Sequence, residues 1–140
     1  MKRLLLVAFA LASFGAWQTA KAQTYCSPQI ILLGCFSGHD LNSVSIGTFS
    51  DPNTGCGFGY DDRTSNHIYL TASTSASYTF TSTTTSTMQY GLWIDLNQDG
   101  DFGDPGEYIL TGTTSQTGSF VVPGTAVAGT RMRLIGLHRV

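Results

Sequence analysis

Lysine is almost missing from this chain of 140 residues, standing only at Lys2 and Lys21. Long apolar runs are scarce as well. The one of note, Leu4 through Trp17, falls short of the ~20 residues that a bilayer-spanning helix needs. It follows Lys2-Arg3 and precedes Ala20-Lys21-Ala22, a small-residue cleavage site before Gln23, so residues 1–22 read as a secretory signal peptide. No later segment is apolar over such a length, and no transmembrane span is expected. With the signal removed, 118 residues stay, enough for one domain with a modest core. Four arginines (Arg63, Arg131, Arg133 and Arg139) then face nine acids, which leaves five net negative charges. Nucleic acid is held by clustered Lys and Arg on its phosphates, and that partner is therefore not expected.

Helical patterning is absent too. Past the signal no window repeats apolar residues at i, i+3, i+4 and i+7 over three turns, and in the chain as a whole 19 Thr, 14 Ser and 16 Gly crowd out the good helix formers. Alternating runs punctuated by Gly, Asn, Asp and Pro predict strands instead. They lie at Leu41 to Phe49, Ile68 to Ala72, Ala76 to Thr81 (Tyr78 and Phe80 on one face), Met88 to Ile94, Tyr108 to Leu110, Gly118 to Val122 and Thr130 to Ile135. Met88, Tyr90, Leu92 and Ile94 share a face, while Trp93 makes the opposite face partly apolar, so this strand is expected to be inner and covered on both sides. Seven short strands imply an all-β, antiparallel two-sheet β-sandwich.

The Ser/Thr-rich stretch from Thr71 to Thr87 is open to two readings, a glycosylated stalk or two Thr-rich strands with a polar hairpin tip. It lacks the proline usual in stalks, which favours the strands. Cysteine is rare. Cys26, Cys35 and Cys56 suit an oxidising, exported setting, but three is odd, so at least one has no partner within this sequence. There is no Cys-x-x-Cys pair for redox chemistry, and three cysteines cannot make a four-Cys zinc site.

Acidic residues, by contrast, are concentrated. Asp95, Asp99, Asp101, Asp104 and Glu107 place five of the nine acids within thirteen positions. Directly after the apolar strand, Asp95-Leu96-Asn97-Gln98-Asp99-Gly100-Asp101 sets oxygen side chains at alternate positions, with Gly100 allowing the chain to curl. Calcium takes six to eight hard oxygen ligands in flexible geometry, and so many carboxylates within a Debye length of ~8 Å repel one another without a cation. The pattern matches the first half of an EF-hand loop. The second half does not: the twelfth position is Gly106, the glutamate follows at 107, and no helix flanks the loop. The expectation is a calcium-binding loop between strands, with Asp95, Asn97, Asp99, Asp101 and Glu107 as ligands. The competing reading is an Asx-rich turn without metal.

These residues resemble the GEVED domain, a β module of exported and cell-surface proteins of Bacteroidetes-type bacteria. The resemblance begins at Tyr25-Cys26-Ser27-Pro28 and runs through Leu41 to Gly47, Gly55-Cys56 and Tyr60-Asp61-Asp62-Arg63-Thr64. It is most specific at Trp93 to Phe102 with Gly106-Glu107, and continues in Phe120 to Pro123 and Gly129 to Arg133. The Gly-Glu-Val-Glu-Asp segment for which the family is named does not occur, and the likeness is read as ending near Ile135. The resemblance thus implies a domain over 23–140 lacking its last strand or two. It also implies a further cysteine beyond, which would account for the odd count.

No catalytic constellation stands out. His39, His67 and His138 are scattered, and neither His-Glu-x-x-His nor Gly-x-Ser-x-Gly occurs. Asp61-Asp62 reads as a turn or a second cation contact. Tyr60, Tyr69 and Trp93 could stack on sugars, although core packing is the expectation for Trp93. The resemblance implies a non-catalytic, calcium-binding module, secreted or at the cell surface, in adhesion or as an accessory to a larger protein. Its partner would be a surface protein or a glycan. The alternatives are a carbohydrate-binding module and an accessory fragment of an exported peptidase.

Overall fold

The structure, a computed structural model, describes residues 25, 41–55, 61–82, 88–113 and 116–138, without the side chains of 137 and 138. The expected signal peptide over 1–22, the three cysteines, His39 and Tyr60 lie outside the described residues. Among the described residues there is no helix, and none is therefore long and apolar enough to cross a membrane.

Among the described residues seven strands form: β1 (Leu41–Ile46), β2 (Phe49–Asp51), β3 (Ser75–Ser82), β4 (Met88–Ile94), β5 (Tyr108–Thr113), β6 (Gln116–Val121) and β7 (Met132–His138). They make two antiparallel sheets, one in the order β2-β1-β3-β6 and the other β5-β4-β7. The all-β two-sheet architecture expected from the alternation is borne out. Two strands differ in detail. Leu41 to Phe49 is a hairpin rather than one strand, because Gly47 takes a left-handed φ of 58° and turns the chain so that Phe49 pairs with Ile46. Ile68 to Ala72 is not a strand. Ile68 and Leu70 pack against the core edge while Tyr69 is 81% exposed, and the Thr71–Thr74 turn cuts the run short. The Thr-rich stretch correspondingly supplies one strand, β3; residues 83–87 lie outside the description.

Period-two alternation explains the core. Val44 and Ile46 of β1, Ala76 and Phe80 of β3, and Phe120 of β6 point from the first sheet onto Met88, Tyr90, Leu92 and Ile94 of β4. Phe80 is fully buried, stacks on Tyr78 at 4.9 Å between ring centroids, and meets Tyr90 of the opposite sheet at 5.8 Å. Burial raises the pKa of the Tyr90 phenol, and the Ser82 side chain offsets part of that rise.

The two outer faces are unlike. On the four-stranded sheet, Ser43 with Thr81, Ser45 with Ser50 and Thr79 with Thr117 form cross-strand hydroxyl pairs at 2.6, 3.1 and 3.3 Å. On the three-stranded sheet, β4 is indeed the inner strand, but its second face is not core. Trp93 is half-buried, lies outside the hydrophobic cluster, and packs on Tyr108 of β5. The expected core position for Trp93 is corrected on that ground: residues 89, 91 and 93 alternate with the core residues 88, 90, 92 and 94 and face away from the other sheet.

Candidate functional site

The acidic segment is the loop from β4 to β5. Its neck is closed by the Ile94 amide donating to the Glu107 carbonyl at 2.9 Å, and by the Asp95 amide donating to the Arg131 carbonyl at 3.0 Å. At this neck sit two carboxylates with almost no solvent exposure, Asp95 and Glu107. A buried carboxylate is tolerated only with donors around it. Asp95 accepts the Gln98 amide on Oδ1 at 2.6 Å, and on Oδ2 the Gly100 amide at 3.2 Å and the Tyr25 hydroxyl at 2.6 Å. Glu107 accepts the Leu96 amide on Oε1 at 2.9 Å and the Asp104 amide on Oε2 at 3.2 Å.

The rim follows a simpler rule. The side-chain oxygens of Asn97, Asp99 and Asp101 each accept the amide two residues on, at 3.0, 3.1 and 2.8 Å. These are three successive Asx turns, the local geometry that Asn and Asp favour. Gly100 (φ 98°) and Gly106 (φ 94°) let the loop curl and return, and Gln98 also takes a positive φ while its amide reaches the Ala128 carbonyl. The Asn97 amide nitrogen stands between two carboxylates, donating to Asp99 Oδ2 at 2.9 Å and to Asp104 Oδ2. Donors from Asp101 and Asn97 hold the Asp99 carboxyl below its ordinary pKa. A hollow of about 330 Å³ opens beside Leu96, Asn97, Asp104, Pro105, Glu107 and Thr125.

The five residues expected as ligands are thus divided. Asp95 and Glu107 lie at the buried base, and Asn97, Asp99 and Asp101 on the outer rim. Among the described residues no group of three or more His, Cys, Asp or Glu is gathered so as to hold a metal ion. The physical reason is visible in the hydrogen bonds, since the carboxylates are turned toward the loop's own amides. The donor set still has the chemistry of a hard cation site, with carboxylate and amide oxygens and no thiol or imidazole. An ionised carboxylate offers about four lone-pair sites. The bonds given above occupy three on Asp95 and two on Glu107, so oxygen capacity remains at the base.

Two participants were absent from the expected ligand set. Asp104 shares the Asn97 amide with Asp99, and its place in the run of acids was the available signal. Tyr25 had no local signal at all, because its link to Asp95 spans seventy positions. Its ring also sits 5.5 Å from that of Phe102, with the Arg131 guanidinium 4.8 Å from its centroid. Desolvation first, and then the Asp95 hydrogen bond, push the Tyr25 phenol up to about 12.

Asp61-Asp62 resolves as a turn. Asp62 accepts the Thr64 amide at 2.9 Å, and Asp61 pairs with Arg63 at 2.7 Å. Arg63 also reaches Asp51 of β2 at 3.0 Å.

No curated protein and no solved structure matches the chain. The family model of the GEVED domain does, over residues 89–139, from β4 through the acidic loop to just beyond β7. The likeness therefore runs past Ile135, where the sequence reading ended it, and β7 itself extends to His138. The stretches that carry the resemblance before residue 89 lie outside the matched residues. The segment that holds the acidic loop and the smaller sheet thus matches the GEVED domain, the family that the sequence resembles.

Proposed function

We propose that this chain is a non-catalytic β-sandwich module of an exported protein, and that Ca²⁺ bound in the 95–107 loop stiffens it for an adhesive or accessory role. The observation that carries the metal is the Asn97 amide group standing between the Asp99 and Asp104 carboxylates, with Asp95 and Glu107 buried below. An –NH₂ group between two carboxylates does weakly what a divalent cation does strongly. A cation entering there would displace that amide and draw on oxygens of Asp99, Asp104 and Asn97. Asp101 and the spare lone pairs of Asp95 and Glu107 lie along the same loop.

The export reading rests on the leader-like residues 1–22, and the passive role on the lack of any nucleophile–base pair in the sequence. Calorimetric titration with Ca²⁺, and thermal melts with and without chelator, test the metal. At an affinity of ~10 µM, millimolar calcium would add roughly 2.7 kcal/mol to stability. No heat of binding, together with an unchanged melting temperature, refutes it.

A further inference from the structure

The outer face of the three-stranded sheet carries a feature that the acidic loop does not explain. Register places Tyr108 of β5, Trp93 of β4 and Arg133 of β7 in one cross-strand row. The irregularity between the Leu92–Leu110 and Trp93–Tyr108 pairs brings Tyr108 onto this face, as bulges commonly re-aim a side chain. The two rings lie with centroids 4.8 Å apart and planes 33° apart, and Tyr108 is 51% exposed.

In the next row, between Thr111 and Ile135, Gly91 supplies no bulk. At Gly91 a Cβ would lie 2.3 Å from the Trp93 Cη2 and 2.5 Å from its Cζ3, so the indole lies over the bare backbone of that residue. The result is a shallow groove of about 110 Å³ lined by Gln89, Tyr90, Gly91, Trp93, Tyr108, Thr111 and Ile135. Enclosed small-molecule sites measure about 300–1,000 Å³, so this one is a platform for part of a larger molecule.

The chemistry of the lining selects the occupant. Aromatic rings half open to water, on a molecule whose other outer face is paired hydroxyls, offer stacking surface for apolar C–H faces. Beside them the Gln89 amide, the Thr111 hydroxyl and the Tyr108 hydroxyl supply donors and acceptors. None of the seven lining residues is charged, Arg133 of the same row lies over the Phe102 ring at 4.2 Å, and the chain beyond the expected signal is net acidic, which turns away polyanions. A ring with C–H faces, a rim of hydroxyls and no charge is a pyranose. We propose that this groove binds a neutral pyranose unit of a polysaccharide, stacked on Trp93 and Tyr108, with Gln89 and Thr111 hydrogen-bonding its hydroxyls.

The exported protein has a built-in reporter, because the only other tryptophan, Trp17, falls in the expected signal. Titration with cellohexaose, xylohexaose, mannohexaose and chitohexaose, followed by Trp93 fluorescence and calorimetry, should give a saturable blue shift with at least one of them. Trp93→Ala and Tyr108→Ala, checked for an unchanged far-ultraviolet dichroism spectrum, should each weaken calorimetric binding roughly tenfold or more, and Thr111→Ala less. If Trp93→Ala does not fold, the half-exposed Tyr108 makes Tyr108→Ala the deciding variant. No saturable response to any of the four sugars overturns the proposal. So does a response confined to polygalacturonate, or binding that survives loss of the aromatic side chain.

Discussion

The Tyr25 hydroxyl donates to Asp95 Oδ2 at 2.6 Å, fastening a residue seventy positions upstream to the base of the acidic loop. Hydrogen bonds to a charged group contribute about 1.5–3 kcal/mol, and solvent near the Tyr25 ring places this one at the low end. Tyr25→Phe keeps the ring contacts with Phe102 and Arg131 and removes only the hydroxyl. Urea denaturation at neutral pH should show a loss of about 1.5 kcal/mol.

Desolvation of the Tyr25 phenol, reinforced by the same bond, gives an alkaline signature. The phenol pKa is raised from 10.0 to about 12 in the folded protein, so folding favours the protonated form. Its contribution is complete below pH 10 and disappears as pH rises through about 12. Denaturation midpoints across that window should fall more steeply in the parent protein than in Tyr25→Phe.

Glu107 accepts two loop amides while almost wholly buried. Glu107→Gln turns one acceptor into a donor facing an amide N–H. An unsatisfied buried group costs about 1–3 kcal/mol, and chemical denaturation in chelator should register a loss near 2 kcal/mol. Running it in chelator keeps this outcome separate from any effect of calcium.

Gly106 has a φ of 94°, and a Cβ built there meets only Leu96 Cδ1, at 3.8 Å. Gly106→Ala therefore tests backbone strain without steric conflict. It should lower stability by about 1–2 kcal/mol, read from the denaturation midpoint with an unchanged slope.

Phe80 joins the two sheets, fully buried between Tyr78 and Tyr90. Truncation of a core phenylalanine costs about 3–5 kcal/mol, a large share of the ~5–15 kcal/mol that a domain has. Phe80→Ala should melt far below the parent protein by calorimetry, or be partly unfolded at 25 °C.

Alternation made the core legible from sequence alone. Met88, Tyr90, Leu92 and Ile94 are buried together, and Phe80 faces them, because period-two spacing fixes which side of a sheet a residue takes. Pairing was less legible. Ile68 to Leu70 has strand-like residues but no strand beside it among the described residues, and alternation does not report whether a partner exists. Trp93 was misplaced because its hydrophobicity spoke for the core while its parity put it outside. At the acidic loop, composition identified the segment and its ends. It could not tell that Asp95 and Glu107 would turn inward to the loop's amides, or that Tyr25 would come to meet them, since both depend on how distant strands close the neck.

The order β5-β4-β7 has a kinetic consequence. β4 leads its own sheet in sequence, and both of its neighbours are made after it, β7 nearly forty residues later. Its buried face meets β1 and β3, which precede it in the chain, and β6, which follows it. Pairings of such separation make for slow, all-at-once folding, with loop closure opposing each early contact. A chain built this way cannot complete its smaller sheet until β7 has left the ribosome.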